Sequence, residues 1–336
     1  MGQVKTLEDL PSYNQLPNKQ RFWEWGPPGS HEEGLGKQNL LTPEHVAKSA
    51  KSEIKTGDRI GLGWEMHKLE YPAFGRKHFD LKIDARSEFS LDDIYEFNPQ
   101  QSSQWDGFRH YQQPVAFSGA DEDKQKGKVD GLWFGGASRS EITEKGSTRI
   151  GVHHWAQQGI VGRGVLIDYA TYAEEKGIKY SCFEPNIITH ADLQGAIKRF
   201  NVDIQPADIV FIRIGLPREW DKYSDEEKKA IQERPPEFMG LEPSQDNLSW
   251  IWDNHFPAVA SDAIALEVLP KGGYPNGLPM HQHLLAGWGV TIGEIFNLEP
   301  LAELCKKLNR YSFFVASVPL NAVGAVSTPP NAVAIF

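Results

Sequence analysis

The densest group of polar and aromatic side chains in the sequence is residues 104–110, Gln-Trp-Asp-Gly-Phe-Arg-His. Asp106 and His110 lie four residues apart in this glycine-containing stretch. A carboxylate beside an imidazole raises the imidazole pKa and fixes its tautomer, as general acid–base catalysis near neutral pH requires. The spacing predicts His110 as a proton-transfer group with Asp106 as its partner. A loop in which both side chains only hydrogen-bond to backbone is equally compatible with this spacing.

A second group of candidate residues lies near the C-terminus. His281 and His283 would share one face of an extended segment, and Glu294 follows after the apolar pair Leu284-Leu285. Imidazoles and carboxylates are ligands for divalent transition metals such as Zn or Mn. His153 and His154 are adjacent, so on an extended segment only one of them can face a site.

Several common catalytic motifs are absent from the sequence. There is no H-E-x-x-H, no G-x-S-x-G and no P-loop, which disfavours zincin proteases, serine α/β-hydrolases and nucleotide hydrolases. The glycine-rich segment 159–168 does not open a helix in the G-x-G-x-x-G register, so we expect a buried strand there and no dinucleotide loop.

Composition restricts the compartment and the partners. The 336 residues are 40% hydrophobic and 24% charged, as in globular proteins with a core. No run of 18 apolar residues occurs and the start resembles no signal peptide, so we expect a cytoplasmic protein without membrane spans. A net charge of −10, without any long run of Lys and Arg, disfavours nucleic acid as a binding partner. Cys182 and Cys305, without a CxxC, exclude a disulfide framework and a thiolate zinc site.

The elements that would position these residues indicate a mixed α/β (α+β) fold. Thr42-Pro43-Glu44 is a helix start signal, and residues 86–150 are rich in loops, with a charged stretch at 121–128. We expect an extended N-terminal arm over 1–36 and a single domain over 37–336. Helical spacing predicts helices at 43–56, 191–200, 225–234, 247–254 and 300–308, and apolar β-branched runs predict strands at 59–62, 159–168, 209–214, 263–269, 310–319 and 332–336.

Four ordered segments, residues 35–44, 159–168, 207–215 and 319–332, resemble the cyclase family that includes bacterial kynurenine formamidases and isatin hydrolase. Gln104-Trp105-Asp106-Gly107 and the long arm are similar to a fungal-type branch with an altered metal motif. The resemblance implies a swivelling β/β/α fold around a barrel-like central sheet. It also implies a homodimer or homotetramer, and a divalent metal used to hydrolyse an amide or lactam.

The family signature, His-x-Gly-Thr-His-x-Asp-x-x-x-His, places its aspartate on Asp106 and its last histidine, the acid/base, on His110. Its two metal-binding histidines fall on Gln100 and Gln104. Later family ligands, a His and a Glu that flank a Leu-Leu turn, match His281 and Glu294. The resemblance thus implies one divalent cation (Mn, Zn or Mg) or none, held by Asp106, His281, Glu294 and the amide oxygen of Gln104. Amide oxygens are poorer zinc donors than imidazole, so a dinuclear zinc site is disfavoured.

We therefore predict a hydrolase of a small cyclic amide, lactone or aryl-formamide, with His110 moving the proton and Trp105 and Phe108 as apolar walls for a ring substrate. A metal-independent lyase, isomerase or cyclase that uses Asp106 and His110 is the alternative, and a non-catalytic binding or scaffold protein is the third hypothesis. The aromatic residues of the arm are expected to lie against a partner chain in a homodimer or larger oligomer.

Overall fold

The computed structural model of the chain describes residues 6–114, 131–271 and 279–336. The charged stretch expected at 121–128 lies outside the described residues. Nine of the described strands form one curled, half-barrel sheet, so the predicted mixed α/β class is confirmed. No helix among these residues is long and apolar enough to cross a membrane.

The strands follow one another along the chain in the order β1 to β15. Their bounds are Arg59–Gly61, Asp80–Ser87, Ser90–Glu96, Gln104–Asp106, Gln113–Pro114, Gly131–Leu132, Ile160–Asp168, Ile187–Ile188, Ile209–Arg213, Gly240–Leu241, Ala258–Ser261, Thr291–Glu294, Ser312–Ser317, Ser327–Thr328 and Ala332–Ile335. The large sheet has the strand order β1-β15-β13-β7-β9-β11-β12-β4-β14.

The centre of this sheet is a parallel block, in which β7, β9, β11 and β12 run side by side. Strands β7 and β9 are buried almost throughout, as is usual for parallel strands. The β-branched runs at 160–168 and 209–213 therefore form strands, as predicted. The remaining strands of this sheet pair antiparallel at its two sides, and β4 pairs with β12.

Ten α-helices, α1 to α10, lie in the described part of the chain. Their bounds are His31–Leu35, Pro43–Glu53, Arg139–Thr143, His153–Gln158, Tyr169–Lys176, His190–Arg199, Leu216–Trp220, Asp225–Glu233, Gln245–Asp253 and Glu299–Leu308. Helix α2 begins as predicted, since the Thr42 side chain accepts a hydrogen bond from the His45 amide. A π-helix spans Gln282–Trp288.

Two arginines join the elements around the parallel block. Arg163 on β7 contacts Asp208 at 2.7 Å and Glu53 of α2 at 3.0 Å. Arg213 on β9 contacts Asp168 at 2.7 Å and Glu299 at 2.6 Å. These four carboxylates, of which all but Glu299 are buried, therefore each have a guanidinium partner.

One predicted strand is wrong. Residues 263–269 form bends and isolated bridges instead, with Leu241 bridged to Glu267 and Phe238 to Leu269. The strand at this position of the sheet is β11, which ends at Ser261. Apolar residues there pack into the core without regular pairing, so their hydrophobicity alone did not identify a strand.

The N-terminal arm lies against its own chain. Trp25 is 1% exposed and donates its indole N–H to the carbonyl of Trp288, and Phe22 packs edge-on against Trp252 at 5.1 Å. The expectation that the aromatic residues of the arm need a partner chain for burial is therefore wrong for these two. Residues 31–35 of the arm form α1, where an extended segment had been expected.

Candidate active site

The pairing of β4 with β12 brings three polar side chains to one face of the sheet. Gln104 lies directly opposite Glu294 in the register, and Asp106 is two residues further along β4 on the same face. All three are almost fully buried, with Asp106 at 0% and Glu294 at 2% exposure. The Gln104 amide donates to Glu294 at 2.7 Å and to Asp106 at 3.2 Å.

His281, just before the π-helix, completes the buried centre. Its Nε2 lies 3.2 Å from Glu294 and 3.9 Å from Asp106, while its Nδ1 bonds to Glu267 at 2.7 Å. Glu267 also accepts the His281 backbone N–H. The Glu267 carboxylate thus fixes the imidazole orientation and leaves Nε2 directed at the two other acids.

His110 lies at the more open edge of this cluster, with 21% of its side chain exposed and Nε2 3.9 Å from Asp106. The Gln100 amide group contacts the His110 ring at 3.2 Å and donates to Asp106 at 2.8 Å. Gln100 therefore connects the carboxylate and the imidazole that the sequence spacing paired. Arg76 donates a hydrogen bond to the Gln100 carbonyl, and its positive charge contributes to lowering the pKa of His110.

The charges in the site perturb its titratable groups. Burial, together with the nearby Asp106 carboxylate, raises the pKa of Glu294 to about 7. Burial opposes the charged form of His281, but Glu267 and Glu294 outweigh it and hold the pKa of His281 well above its usual range. Burial lowers the pKa of His110 despite the opposing effect of Asp106. The pKa values of the two imidazoles are therefore shifted in opposite directions, upward for His281 between two carboxylates and downward for His110 at the open edge.

The residues of the cluster fit a divalent cation. Ligand atoms of Asp106, His110 and His281 lie within 4.8 Å of one another, and Glu294 contributes a further oxygen beside His281. Two imidazoles with carboxylate oxygens suit borderline ions such as Zn or Mn. The like-charged carboxylates would also be stabilised by a positive ion.

The side-chain amide of Gln104 is oriented differently from that expected for a metal ligand, which would direct its oxygen at the centre. Its amide nitrogen is directed at Asp106 and Glu294, and its Oε1 is buried without a hydrogen-bond partner. As a ligand it would have to turn the amide by about half a rotation, which exchanges the two atoms. In the observed orientation Gln104 bridges the carboxylates instead.

Trp105 and Phe108 are not brought to the site. Trp105 points to the opposite face of β4 from Gln104 and Asp106, packs against Phe296 at 4.9 Å and is 0% exposed. Phe108 is also 0% exposed and packs against Phe134 and Trp155. Both are core residues, which corrects the expectation that they line the substrate pocket.

The remaining candidate histidines lie elsewhere. His153 and His154 are on helix α4, not on an extended segment, and their rings stack at 4.1 Å. His154 contacts His31 and His153 accepts the Gly324 N–H, so neither makes a contact with the cluster. His283 packs against Trp288 within the π-helix, and burial lowers its pKa to about 4.

Three residues at the site were not predicted. Glu267 lies 14 residues from His281 in an irregular segment, Arg76 belongs to the loop before β2, and the ring of Tyr111 lies 5.4 Å from that of His281. Tyr111 directly follows His110, so its nearness to the motif was a usable signal. No local pattern marks Glu267 or Arg76.

The family described as "Putative cyclase" matches residues 60–268, more than half of the chain. No curated protein matches the chain. Among solved structures, one described as a novel cyclase is 29% identical with a TM-score of 0.75, and the alignment covers 91% of this chain and 97% of that one.

Isatin hydrolase A from Ralstonia solanacearum is 16% identical with a TM-score of 0.54, covering 88% of this chain and 97% of that one. Isatin hydrolase A from Labrenzia aggregata, bound to benzyl benzoate, is 15% identical with a TM-score of 0.52, covering 87% and 97%. At these identities the two hydrolases show the shared fold. The match of the family model to more than half of the chain shows that the chain belongs to the cyclase family.

Proposed function

We propose that the chain is a metal-assisted hydrolase that opens a small cyclic amide, lactone or aryl-formamide. The observation that carries this proposal is the group of Asp106, His110 and His281, whose ligand atoms lie within 4.8 Å of one another beside Glu294. Membership in the cyclase family and a fold shared with isatin hydrolases support the same reaction class.

Asp106, His281 and Glu294 would hold one divalent cation, with Mn, Zn and Mg as candidates. Such an ion supplies Lewis-acid polarisation of a carbonyl and lowers the pKa of water. Glu267 keeps His281 in the tautomer that presents Nε2 to the centre, because it accepts at Nδ1. Gln104 holds the Asp106 and Glu294 carboxylates in place through its amide hydrogens.

His110 is the group suited to moving a proton. It is the most exposed member of the cluster, and burial lowers its pKa, which leaves the ring free to accept a proton near pH 7. Gln100 orients its ring. His110 would accept a proton from the attacking water and return it to the leaving nitrogen or oxygen of the substrate.

A cleft of about 110 Å³ is our candidate place for the substrate ring. None of its described lining residues belongs to the cluster, but two of them precede site residues in the chain: Phe74 is two residues before Arg76 and Ile264 is three residues before Glu267. Apolar and aromatic side chains dominate its lining, which suits a planar ring; they include Leu69, Tyr71, Phe74, Phe183, Trp220 and Phe238.

The experiment is a hydrolysis assay on isatin, aryl-formamides and aryl lactones, after chelation and again after Mn, Zn or Mg is restored. We expect turnover of at least one class, loss on chelation, recovery on metal addition and no recovery in Asp106→Asn. Absence of hydrolysis by the metal-loaded protein across all three classes would contradict the proposal.

One observation favours a second candidate, a metal-independent lyase, isomerase or cyclase. The amides of Gln100 and Gln104 already donate to Asp106, so this carboxylate is satisfied without a cation. In that case Asp106 and His110 would perform acid–base chemistry alone. Activity that survives exhaustive chelation would support this candidate.

We further propose a cytoplasmic enzyme that assembles as a homodimer or homotetramer. Cys182 and Cys305 are both free and buried, which is compatible with a reducing compartment.

A further inference from the structure

The hairpin formed by β2 and β3 is attached to the fold only at its base. Every residue of β3 is exposed, and in β2 only Asp84 is partly buried. Among the described strands, these two pair only with each other and form a separate two-stranded sheet. A two-stranded hairpin without further packing is at best marginally stable in water. We therefore expect another element to pack against this hairpin.

The register gives the hairpin two unlike faces. The cross-strand pairs Leu81–Tyr95, Ile83–Asp93 and Ala85–Leu91 alternate with Asp80–Glu96, Lys82–Ile94 and Asp84–Asp92. Because paired residues share a face, the first set forms a mostly apolar face and the second a mostly charged one. We call the first set the hairpin face.

The side chains of the hairpin face are exposed to an unusual degree. Leu81 is 47% exposed, Ile83 57%, Leu91 69% and Tyr95 56%, and Phe89 at the turn is 95% exposed. With large side chains of about 150–200 Å² each, the four residues of the hairpin face expose roughly 400 Å², about half of the roughly 800 Å² that one partner gives to a stable interface. The hairpin face is therefore large enough to form the core of an association surface.

We propose that the hairpin face packs against the same face of a second copy of this chain. The two hairpins would form a four-stranded, two-layer sandwich about a two-fold axis, in which each hairpin covers the apolar face of the other. Its one carboxylate, Asp93, already accepts a hydrogen bond from Tyr95 at 2.6 Å. The other face carries Asp80, Asp84, Asp92 and Glu96, of which the last three form ion pairs with Lys77, Lys82 or Arg86. Burial of that face would remove these charged groups from water, which is costly.

The hairpin also leads directly into the candidate active site. Strand β3 ends at Glu96, and the chain continues to Gln100, which contacts Asp106 and His110. At the base of the hairpin, the Asn98 N–H donates to the Lys77 carbonyl, next to Arg76. Pairing of two hairpins would therefore order the segment that carries Gln100 and Arg76. This inference gives a surface to the proposed homodimer and does not depend on the proposed reaction.

The test is sedimentation velocity across the micromolar range on the full chain, with Leu91→Asp and with the matched control Ile94→Asp. Both positions are exposed in the same strand, but they lie on opposite faces of the hairpin. We expect a dimer for the native chain and for Ile94→Asp, and a dissociation constant raised roughly tenfold or more by Leu91→Asp, since the change occurs twice in a symmetric interface.

Hydrogen exchange of the hairpin amides controls for local unfolding. In the native dimer these amides should be protected, and protection should fall on dilution to monomer and persist in Ile94→Asp. A native chain that stays monomeric at the highest concentration, or a Leu91→Asp dimer as tight as the native one, would overturn the proposal. If Ile94→Asp weakens association as much as Leu91→Asp does, the dimer interface is not specific to the hairpin face.

Discussion

Two regions of this molecule hold buried carboxylates with different partners. Around the parallel strands, Asp168 is paired with Arg213 and Asp208 with Arg163, each at 2.7 Å. In the candidate active site, Asp106 and Glu294 are held by the neutral amide of Gln104, with His281 as the nearest cationic side chain.

The difference separates a structural role from a functional one. A buried carboxylate with a guanidinium partner is compensated, and removal of one partner leaves an unpaired buried charge. The site acids are held by an amide and an imidazole instead, and burial together with Asp106 raises the pKa of Glu294 to about 7. Burial also raises the pKa of Asp208 to about 7 despite Arg163, so the partner, not the raised pKa, distinguishes the two regions. We infer that the arginine pairs contribute to folding, and that the site acids bind a cation or protons at a cost in stability.

The largest effect is expected at His110. Replacement by Ala should lower turnover by roughly two to four powers of ten, the usual contribution of general acid–base catalysis, because no other exposed base lies beside Asp106 among the described residues. Steady-state kinetics would measure it, with His190→Ala as a control, since His190 bonds to Asn247 outside the site. Near-native turnover of His110→Ala would exclude His110 as the proton carrier.

A change among the arginine pairs should act on stability instead. Asp168→Asn leaves Arg213 with a weakened partner in a buried position, so the free energy of unfolding should fall by about 3 kcal/mol or more. Urea unfolding would measure this, and turnover per folded molecule should stay unchanged. Equal losses of stability in Asp168→Asn and Asp106→Asn would remove the distinction between the two regions.

The reverse is expected for Glu294. Glu294→Gln removes one of two neighbouring buried carboxylates, so the chelated protein should gain roughly 1–2 kcal/mol of unfolding free energy at pH 8. Metal binding, measured by calorimetry, should weaken in the same variant. If Glu294→Gln destabilises the chelated protein as much as Asp168→Asn does, the site acids are structural.

Two histidines outside both regions are expected to make the free energy of unfolding depend on pH. Burial lowers the pKa of His154 and of His255 to about 4. Unfolded histidine takes up its proton near pH 6.5, so the stabilising contribution is present above that pH and is lost as pH falls toward 4. Each histidine should contribute on the order of 1–2 kcal/mol to this loss. In His255→Gln, the free energy of unfolding should therefore fall less between pH 7 and pH 4 than in the native chain. An unchanged slope would show that His255 does not contribute to this pH dependence.

The sequence predicted those features that depend on local signals. The start of α2 follows from Thr42-Pro43, and the buried strands β7 and β9 follow from unbroken apolar runs. The pairing of Asp106 with His110 was also predicted, because the two lie within one short segment.

The rest of the site depends on distant pairing. Gln104 and Glu294 are 190 residues apart and meet only because β4 pairs with β12. Trp105 was misplaced because β4 was not identified as a strand, in which alternation would have directed the indole away from Asp106. Glu267 lies in an irregular segment where apolar composition suggested a strand, so no periodicity marked its role.

The most direct test of the central claim is elemental analysis of the dialysed protein with a titration of Mn and Zn, on the native chain, Asp106→Asn and Asp168→Asn. The account predicts one divalent ion per native chain and per Asp168→Asn chain, and none in Asp106→Asn. A native chain that binds no ion, or an Asp106→Asn variant that binds as tightly as the native chain, would contradict it.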